Sequence, residues 1–442
     1  MIIGNKIHIG SRRKVTIGSK LNQAWYGVEW DTTFASPSVT RIASDMTLHA
    51  SLPIHNEIKG CLLNDDGTIN YYLKSDDWSK KADGTASNLD GTDGQVMVRI
   101  PQHYRKFETD GNVRRVMISG YKLTGYHLVP EMFVSAYEAT VQRSVSKLAS
   151  VVNLSTDYRG GNNNAAWDAA DRTLLGRPAS LISRTDFRTY ARNRAAGTKW
   201  NLYTYDAHKA LTWLFVIEYA TRNSQLAVNN ALTAEGYRQG GLGNGVSTAN
   251  STEWSNFNGY YPFVPCGYTD SLANGSGEVE ISVANFGGAG IARAFMANRY
   301  RGIEHPFGHI WKNSDGVNVK IQAANAGGES QLWVSENPAD FSDSVYTNYE
   351  NRGLIARGNG YVGDVVFGDK GELLPSTTQA SSTLYWRDYF YTSIPASGES
   401  LRTLYWGGGA SSGANDGLAF AYSNHVPSTT DSGVGSRLCF LP

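Results

Sequence analysis

Residues 401–442 read LRTLYWGGGASSGANDGLAFAYSNHVPSTTDSGVGSRLCFLP, and the rest of the chain is organised around them. The two ends, 401–406 and 435–441, have the apolar alternation of strands, with a third short run, Leu418-Ala419-Phe420-Ala421-Tyr422, between them. What remains is small and polar. A fixed apolar frame carrying small polar stretches suits a surface whose loops can change while the frame stays put. A period of two puts Leu418, Phe420 and Tyr422 inward and Ala419, Ala421 and Ser423 outward. The ligand-binding residues expected here are Ala410, Ser411, Asn415, Asp416, Ala419, Ala421, Ser423, Asn424 and His425, none of which has an apolar task to perform in this pattern.

Arg402, Leu404, Gly407, Gly408, Gly417, Leu418, Gly435, Ser436, Arg437 and Leu438 together resemble the end of a C-type lectin-like domain. The resemblance is to the branch shared by formylglycine-generating enzymes and the variable proteins of diversity-generating retroelements, many of which phage tail adhesins carry. Upstream, 300–312 (YRGIEHPFGHIWK) resembles a turn of the same fold, with His305 and His309 at positions usually held by Asn and Lys312 where a Glu is usual. The resemblance covers residues 131–442. It implies an α+β fold in which the first and last strands of the domain pair, Glu304 caps loop amides and the Trp311 indole lies in the core.

Composition narrows the classes. Lys plus Arg and Asp plus Glu both number 40, so no bulk field draws the chain to nucleic acid or an anionic membrane. Charged residues are only 18% while Gly numbers 47 and aromatics reach 12%, the composition of a loop-rich β protein or an adhesive surface. Cys61, Cys266 and Cys439 are odd in number and widely spread, which argues against a disulfide framework or a structural zinc site. The first residues have no signal-peptide core, and no stretch reaches the roughly 18 apolar residues of a membrane span.

Three segments are expected. Residues 1–24 carry two short strands for docking or oligomerisation. Residues 25–130 form a β-rich domain, marked by Asx-Gly turns such as Asp83-Gly84 and Asp110-Gly111 between alternating runs. Residues 131–442 form the lectin-like domain, with 401–442 as its ligand-binding region. Two helices are expected in it: one at 185–193 begun by Ser183-x-x-Asp186, and a core helix at 207–222 headed by Asp206. Residues 236–380 read as long loops with little regular structure. The expected fold class is therefore α+β, an N-terminal β-rich module followed by a loop-rich C-type lectin-like domain with two helices.

Six features of the sequence invite a chemical reading. Gly409-Ala410-Ser411-Ser412-Gly413 matches a nucleophile elbow, but a strand and not a helix follows it, and Asp416 and His425 lie too near to come from separate elements. Gly358-x-Gly360-x-x-Gly363 leads into a strand, so no helix N-terminus awaits a pyrophosphate. Glu304, His305 and His309 have metal-ligand identities, yet Pro306 and Gly308 break the helix that would align the imidazoles. The calcium-binding motifs of sugar-binding lectins are absent, and Cys439 has no partner for formylglycine-type chemistry. Arginines 184, 188, 192 and 194 read as a solvated face. The expectation is no catalytic residue, no metal, no cofactor and no enzyme activity.

The function expected is a phage receptor-binding adhesin of a tail fibre or tail tip, made in the bacterial cytoplasm without a signal peptide and carried on the virion. Its partners are a host-surface glycan or protein and other tail proteins, with no nucleic acid and no membrane insertion. A homotrimer is expected, because clustering weak sites raises effective concentration without new contacts. The alternatives are a structural virion component, either a head fibre or a tail decoration, and a prophage-encoded surface lectin.

Overall fold

The computed structural model describes residues 24–168, 172–243, 248–257, 259–286 and 290–442. The docking strands expected in 1–24 lie almost wholly outside the described residues.

The chain is mostly β, with 37% strand and 15% helix, which corrects the α+β expectation of a loop-rich domain. Among the described residues the α-helices are Leu48–Ser51, Arg184–Arg192, Tyr205–Tyr219 and Ser251–Asn256. Both expected helices are present. Ser183 caps the first by accepting from Asp186 N, and Thr204, not Asp206, caps the second by accepting from Ala207 N. The second ends at Ala220, whose left-handed backbone (φ 51°) stops it short of 222. The correction comes from the region expected to be loops. Residues 236–380 supply long strands, among them Gly277–Phe286, Ile291–Tyr300 and Trp311–Gln322. The last reads WKNSDGVNVKIQ, a poor strand by propensity, but nine of its twelve residues are buried. Pairing on both sides decides the matter, since strand preference reflects neighbours more than the backbone of any one residue.

Three larger sheets carry the fold. A five-stranded sheet runs in the order Thr40–Ala43, Tyr26–Asp31, Val113–Ser119, His103–Asp110, His127–Val129. A seven-stranded sheet sets Trp200–Leu202 beside Leu438–Phe440, then Met132–Ser135, Gln95–Ile100, Lys59–Leu63 and the hairpin Ile69–Lys74 with Asp77–Lys81. Here the last strand does pair with the strand after residue 131, Phe133 opposite Phe440 and Val134 opposite Cys439. Strands from both sides of residue 130 share this sheet.

The eight-stranded sheet is centred on Trp311–Gln322, paired with Ser330–Val334, with Glu399–Trp406 and, in parallel, with Val434–Gly435. Beyond Glu399–Trp406 lie Ala421–Tyr422, Tyr389–Tyr391 and Gly360–Tyr361.

The Tyr205–Tyr219 helix joins these layers, and thirteen of its fifteen residues are buried. His208 and Tyr205 stack on Trp406, at 4.2 and 5.7 Å, which seats the helix on the inner face of the eight-stranded sheet. Trp213 stacks on Trp30 at 6.0 Å and meets Phe107, Phe367 and Trp386 edge-on, which ties the same helix to the five-stranded sheet. One apolar cluster thus includes Trp30, Val98, Leu214, Ile303 and Trp406.

Leu214 sits in that cluster with 1% exposure. Leu214→Ala is expected to cost about 2–5 kcal/mol in chemical denaturation, a transfer loss plus a cavity. A loss under about 1 kcal/mol would place the helix outside the cooperative core.

Candidate functional site

On the face of the eight-stranded sheet away from the central helix lies an open cleft of about 300 Å³. Its floor is aromatic because of register. Asn313 lies opposite Tyr405 and Tyr405 opposite Tyr422, and cross-strand partners share a face. Trp311, two residues before Asn313, shares it too, while Leu404 and Trp406 point to the core. Tyr405 and Tyr422 stack nearly parallel, 7° apart at 6.0 Å, and His425 stacks on Tyr422 at 5.1 Å. Trp311 closes this group at 5.4 Å from Tyr422.

The facing wall comes from the Ser251–Asn256 helix, whose Trp254 meets Tyr260 edge-on at 4.9 Å. Two glycines make room for that indole. A Cβ on Gly409 or Gly433 would stand 2.7 or 2.8 Å from the Trp254 ring. The run Gly407-Gly408-Gly409 therefore has two causes: positive φ at the first two (85° and 78°) and close approach at the third. Ser251, Ser411, Asp431 and Val434 complete the rim. Burial pushes the His425 imidazole below its ordinary value, with Asp431 opposing, so the ring is held toward its neutral form. Among the described residues, Tyr405 Oη and Trp254 Nε1 are buried at this cleft without a hydrogen-bond partner.

The nine residues expected to bind ligand separate into two groups. Ser411 and His425 line the cleft, and Asn415 and Asn424 are partly exposed but outside its lining. Ala410, Asp416, Ala419, Ala421 and Ser423 are buried. The inward–outward alternation expected for 418–423 does not hold. Leu418, Ala419, Phe420 and Ala421 are all buried, because only Ala421–Tyr422 is strand and the turn before it packs on both sides. Within the strand the sense is reversed, with Ala421 inward and Tyr422 in the cleft. Trp311, expected in the core, is a half-buried cleft residue.

Tyr405, Tyr422, Trp254 and Tyr260 were missed as site residues. One signal was available. In 404–406 and 389–391 a Tyr alternates with Leu, Trp or Phe, the pattern of an amphipathic ring outward and a hydrocarbon inward.

The second cluster is Glu138, His305 and His309, all buried, with potential ligand atoms within 4.8 Å of one another. Hydrogen bonds occupy both ring nitrogens of His309, while His305 Nδ1 stands 3.7 Å from Glu138 Oε2. His309 Nδ1 donates to Glu138 Oε2 at 2.6 Å, while Nε2 accepts from Phe263 N and Val264 N at 3.2 and 3.1 Å. Lys312 Nζ lies 2.9 Å from Glu138 Oε1, and a cation there would meet a fixed ammonium. Burial pushes the Glu138 carboxyl up, but Lys312 and His309 outweigh it and hold it well below the ordinary carboxylate range. The three residues and Lys312 thus form a buried ion network. Glu304 caps loop amides as the resemblance implies, accepting from Gly267 N and Thr269 N at 3.1 and 2.7 Å.

Of the four arginines read as a solvated face, Arg184, Arg188 and Arg194 are buried and Arg192 is half-buried. Arg184 pairs with Asp343 and reaches Val317 O, and Arg188 pairs with both Asp315 and Asp343. They fasten the Arg184–Arg192 helix to the eight-stranded sheet. Cys61, Cys266 and Cys439 are buried free thiols, and burial pushes the Cys439 thiol up to about 12. No protein-family description matches the chain, and no curated protein matches its sequence.

Asp416 lies under the cleft at 1% exposure. Burial raises its carboxyl well above the usual range, Lys312 opposes, and Asp388 adds to the rise. For an acid with a raised folded value, stability is fully present below the ordinary carboxylate pKa of about 4 and is lost as pH rises through the folded value. Asp416→Asn is therefore expected to stabilise the fold by about 1 kcal/mol or more at pH 7.5, with the advantage vanishing toward pH 4. Denaturation at both pH values checks this, and an advantage independent of pH would contradict it.

Proposed function

We propose that the protein is a receptor-binding adhesin of a phage tail that recognises a host-surface glycan through the cleft between the eight-stranded sheet and the Ser251–Asn256 helix. One observation carries the reading: a cleft floored by stacked rings, with the Tyr405 phenol oxygen of the floor and the Trp254 indole N–H of the wall both buried and lacking partners. Sugars offer both complements, apolar ring faces for stacking and hydroxyls for such groups. A protein partner would more naturally meet a broad flat patch than a cleft of about 300 Å³. The phage setting rests on the C-terminal resemblance alone, and with it the location on the virion and the tail-protein partners.

Binding is expected to depend on Tyr422 and His425, both partly exposed. Fluorescently labelled protein incubated with a panel of bacterial cells should label a subset. Tyr422→Ala with His425→Ala should lose that labelling while the melting temperature stays nearly unchanged. Undiminished labelling by a folded double variant refutes the cleft assignment.

The adhesin is further proposed to act as a homotrimer, since a single shallow sugar site is weak and three gain by effective concentration. Light scattering at micromolar concentration should return three times the 48.3 kDa chain mass. A single-chain mass would remove the trimer from the proposal.

A further inference from the structure

The aromatic floor does not stop at the rim of the cleft. Tyr422 lies opposite Tyr391 in the parallel pairing, Tyr389 sits two residues before Tyr391, and Tyr389 lies opposite Tyr361. Cross-strand partners and residues two apart share a face, so all these rings stand on the outer side of the sheet. From His425 outward the ring centroids follow at 5.1 Å to Tyr422, 5.5 Å to Tyr391, 4.7 Å to Tyr389 and 4.9 Å to Tyr361. Each of the five is partly exposed, while Phe390 between two of them is fully buried. At the far end Tyr361 donates to Asn415 Oδ1 at 2.7 Å, which fixes the last ring.

The main core is filled from the opposite face by Leu404, Trp406, Phe390 and the central helix. On the outer face the row has one buried contact, Phe420, which meets Tyr391 at 5.8 Å and Tyr389 at 6.5 Å and leaves the rings partly exposed. Scattered surface aromatics need no explanation, but a continuous row marks a place where something lies. The row's chemistry narrows the occupant. Tyrosines are uncharged near neutral pH and His425 is held toward its neutral form, so the row offers ring faces and hydroxyls but no ionised group. It runs continuously out of the cleft and repeats at steps of about 5 Å. A single terminal sugar would use the cleft and leave Tyr391, Tyr389 and Tyr361 idle.

We propose that the ligand is an extended polysaccharide, bound with one unit in the cleft and the following units laid along Tyr422, Tyr391, Tyr389 and Tyr361. The inference rests on the glycan-binding reading of the cleft and adds the length and direction of the bound chain.

The test uses the full chain on an array of purified bacterial capsular, O-antigen and cell-wall polysaccharides, then on a size ladder cut by partial hydrolysis from the best-bound one. Affinity should rise from the monosaccharide through several units before levelling. Tyr389→Ala and Tyr361→Ala should each weaken the long fragments about two- to ten-fold and leave the monosaccharide unchanged. Tyr389→Phe, which keeps the ring, should restore long-fragment binding. His425→Ala should weaken every length. Affinity that is flat with length, together with unaffected Tyr389→Ala and Tyr361→Ala proteins, overturns the extended ligand and leaves the cleft reading intact. Binding of no polysaccharide at all overturns both.

Discussion

The protein depends on a buried charge network between its seven- and eight-stranded sheets. Glu138 follows the strand Met132–Ser135 of the seven-stranded sheet, and Lys312 lies on the central strand of the eight-stranded one. Their ion pair, with His309 on the second carboxylate oxygen, holds the sheets in register at one point. His309 extends the link by accepting two backbone amides at Phe263 and Val264, and its own carbonyl accepts from Ala410 N. Arg437, the residue just before the last strand, joins by donating to Ser135 O, Glu304 O and His305 O. Removing one member of such a network leaves a buried charge uncompensated, which costs several kcal/mol, more than the intact pairs add. The network is thus better understood as a fastener that specifies one arrangement. The Trp254 wall, the glycine run and the aromatic floor each attach to a segment it fixes.

Much of this frame was legible in the sequence. The strand near the C-terminus, the Ser183 cap and the buried central helix follow from local patterns: alternation, capping spacing and a continuous apolar stripe. The pairing of that strand with the one after residue 131 and the Glu304 turn came from the resemblance alone. What was not legible was the β content of 236–380. Strands such as Trp311–Gln322 carry Asn, Ser, Asp and Gly at buried positions because their polar groups are satisfied by neighbours far away in sequence. Ser314 Oγ donates to Leu404 O, and Asp315 pairs with Arg188. A single-sequence reading sees polar, glycine-rich chain and assigns loop.

The same non-local logic explains the mixed outcome at the site. Small polar residues after the glycine run were expected to face a ligand, yet several of them fill the space under the cleft. Ser423 is buried with its N–H on Tyr391 O, and Gln225 holds the carbonyls of Gly413 and Asp416. Arg184, Arg188 and Arg194 show the converse, charged residues spent on internal joints because the sheets bury carboxylates for them to meet. Polarity alone does not report exposure in a chain whose core is wired with ions.

Tyrosine is the residue type whose position carried the functional information. Its ring tolerates burial on one side and its hydroxyl tolerates water, so an outward strand position next to a core-facing Phe, Leu or Trp suits it. When register aligns such positions on neighbouring strands, the rings form a row without any loop having to be shaped for them. Tyr405, Tyr422, Tyr391, Tyr389 and Tyr361 arise in this way from four strands. Recognition surfaces are usually expected on loops. Here the rigid sheet presents the rings, and the Ser251–Asn256 helix and the loop 407–413 only wall one end. A surface of that kind is preorganised, since its side chains are ordered before any ligand arrives, and the entropic cost of binding falls accordingly.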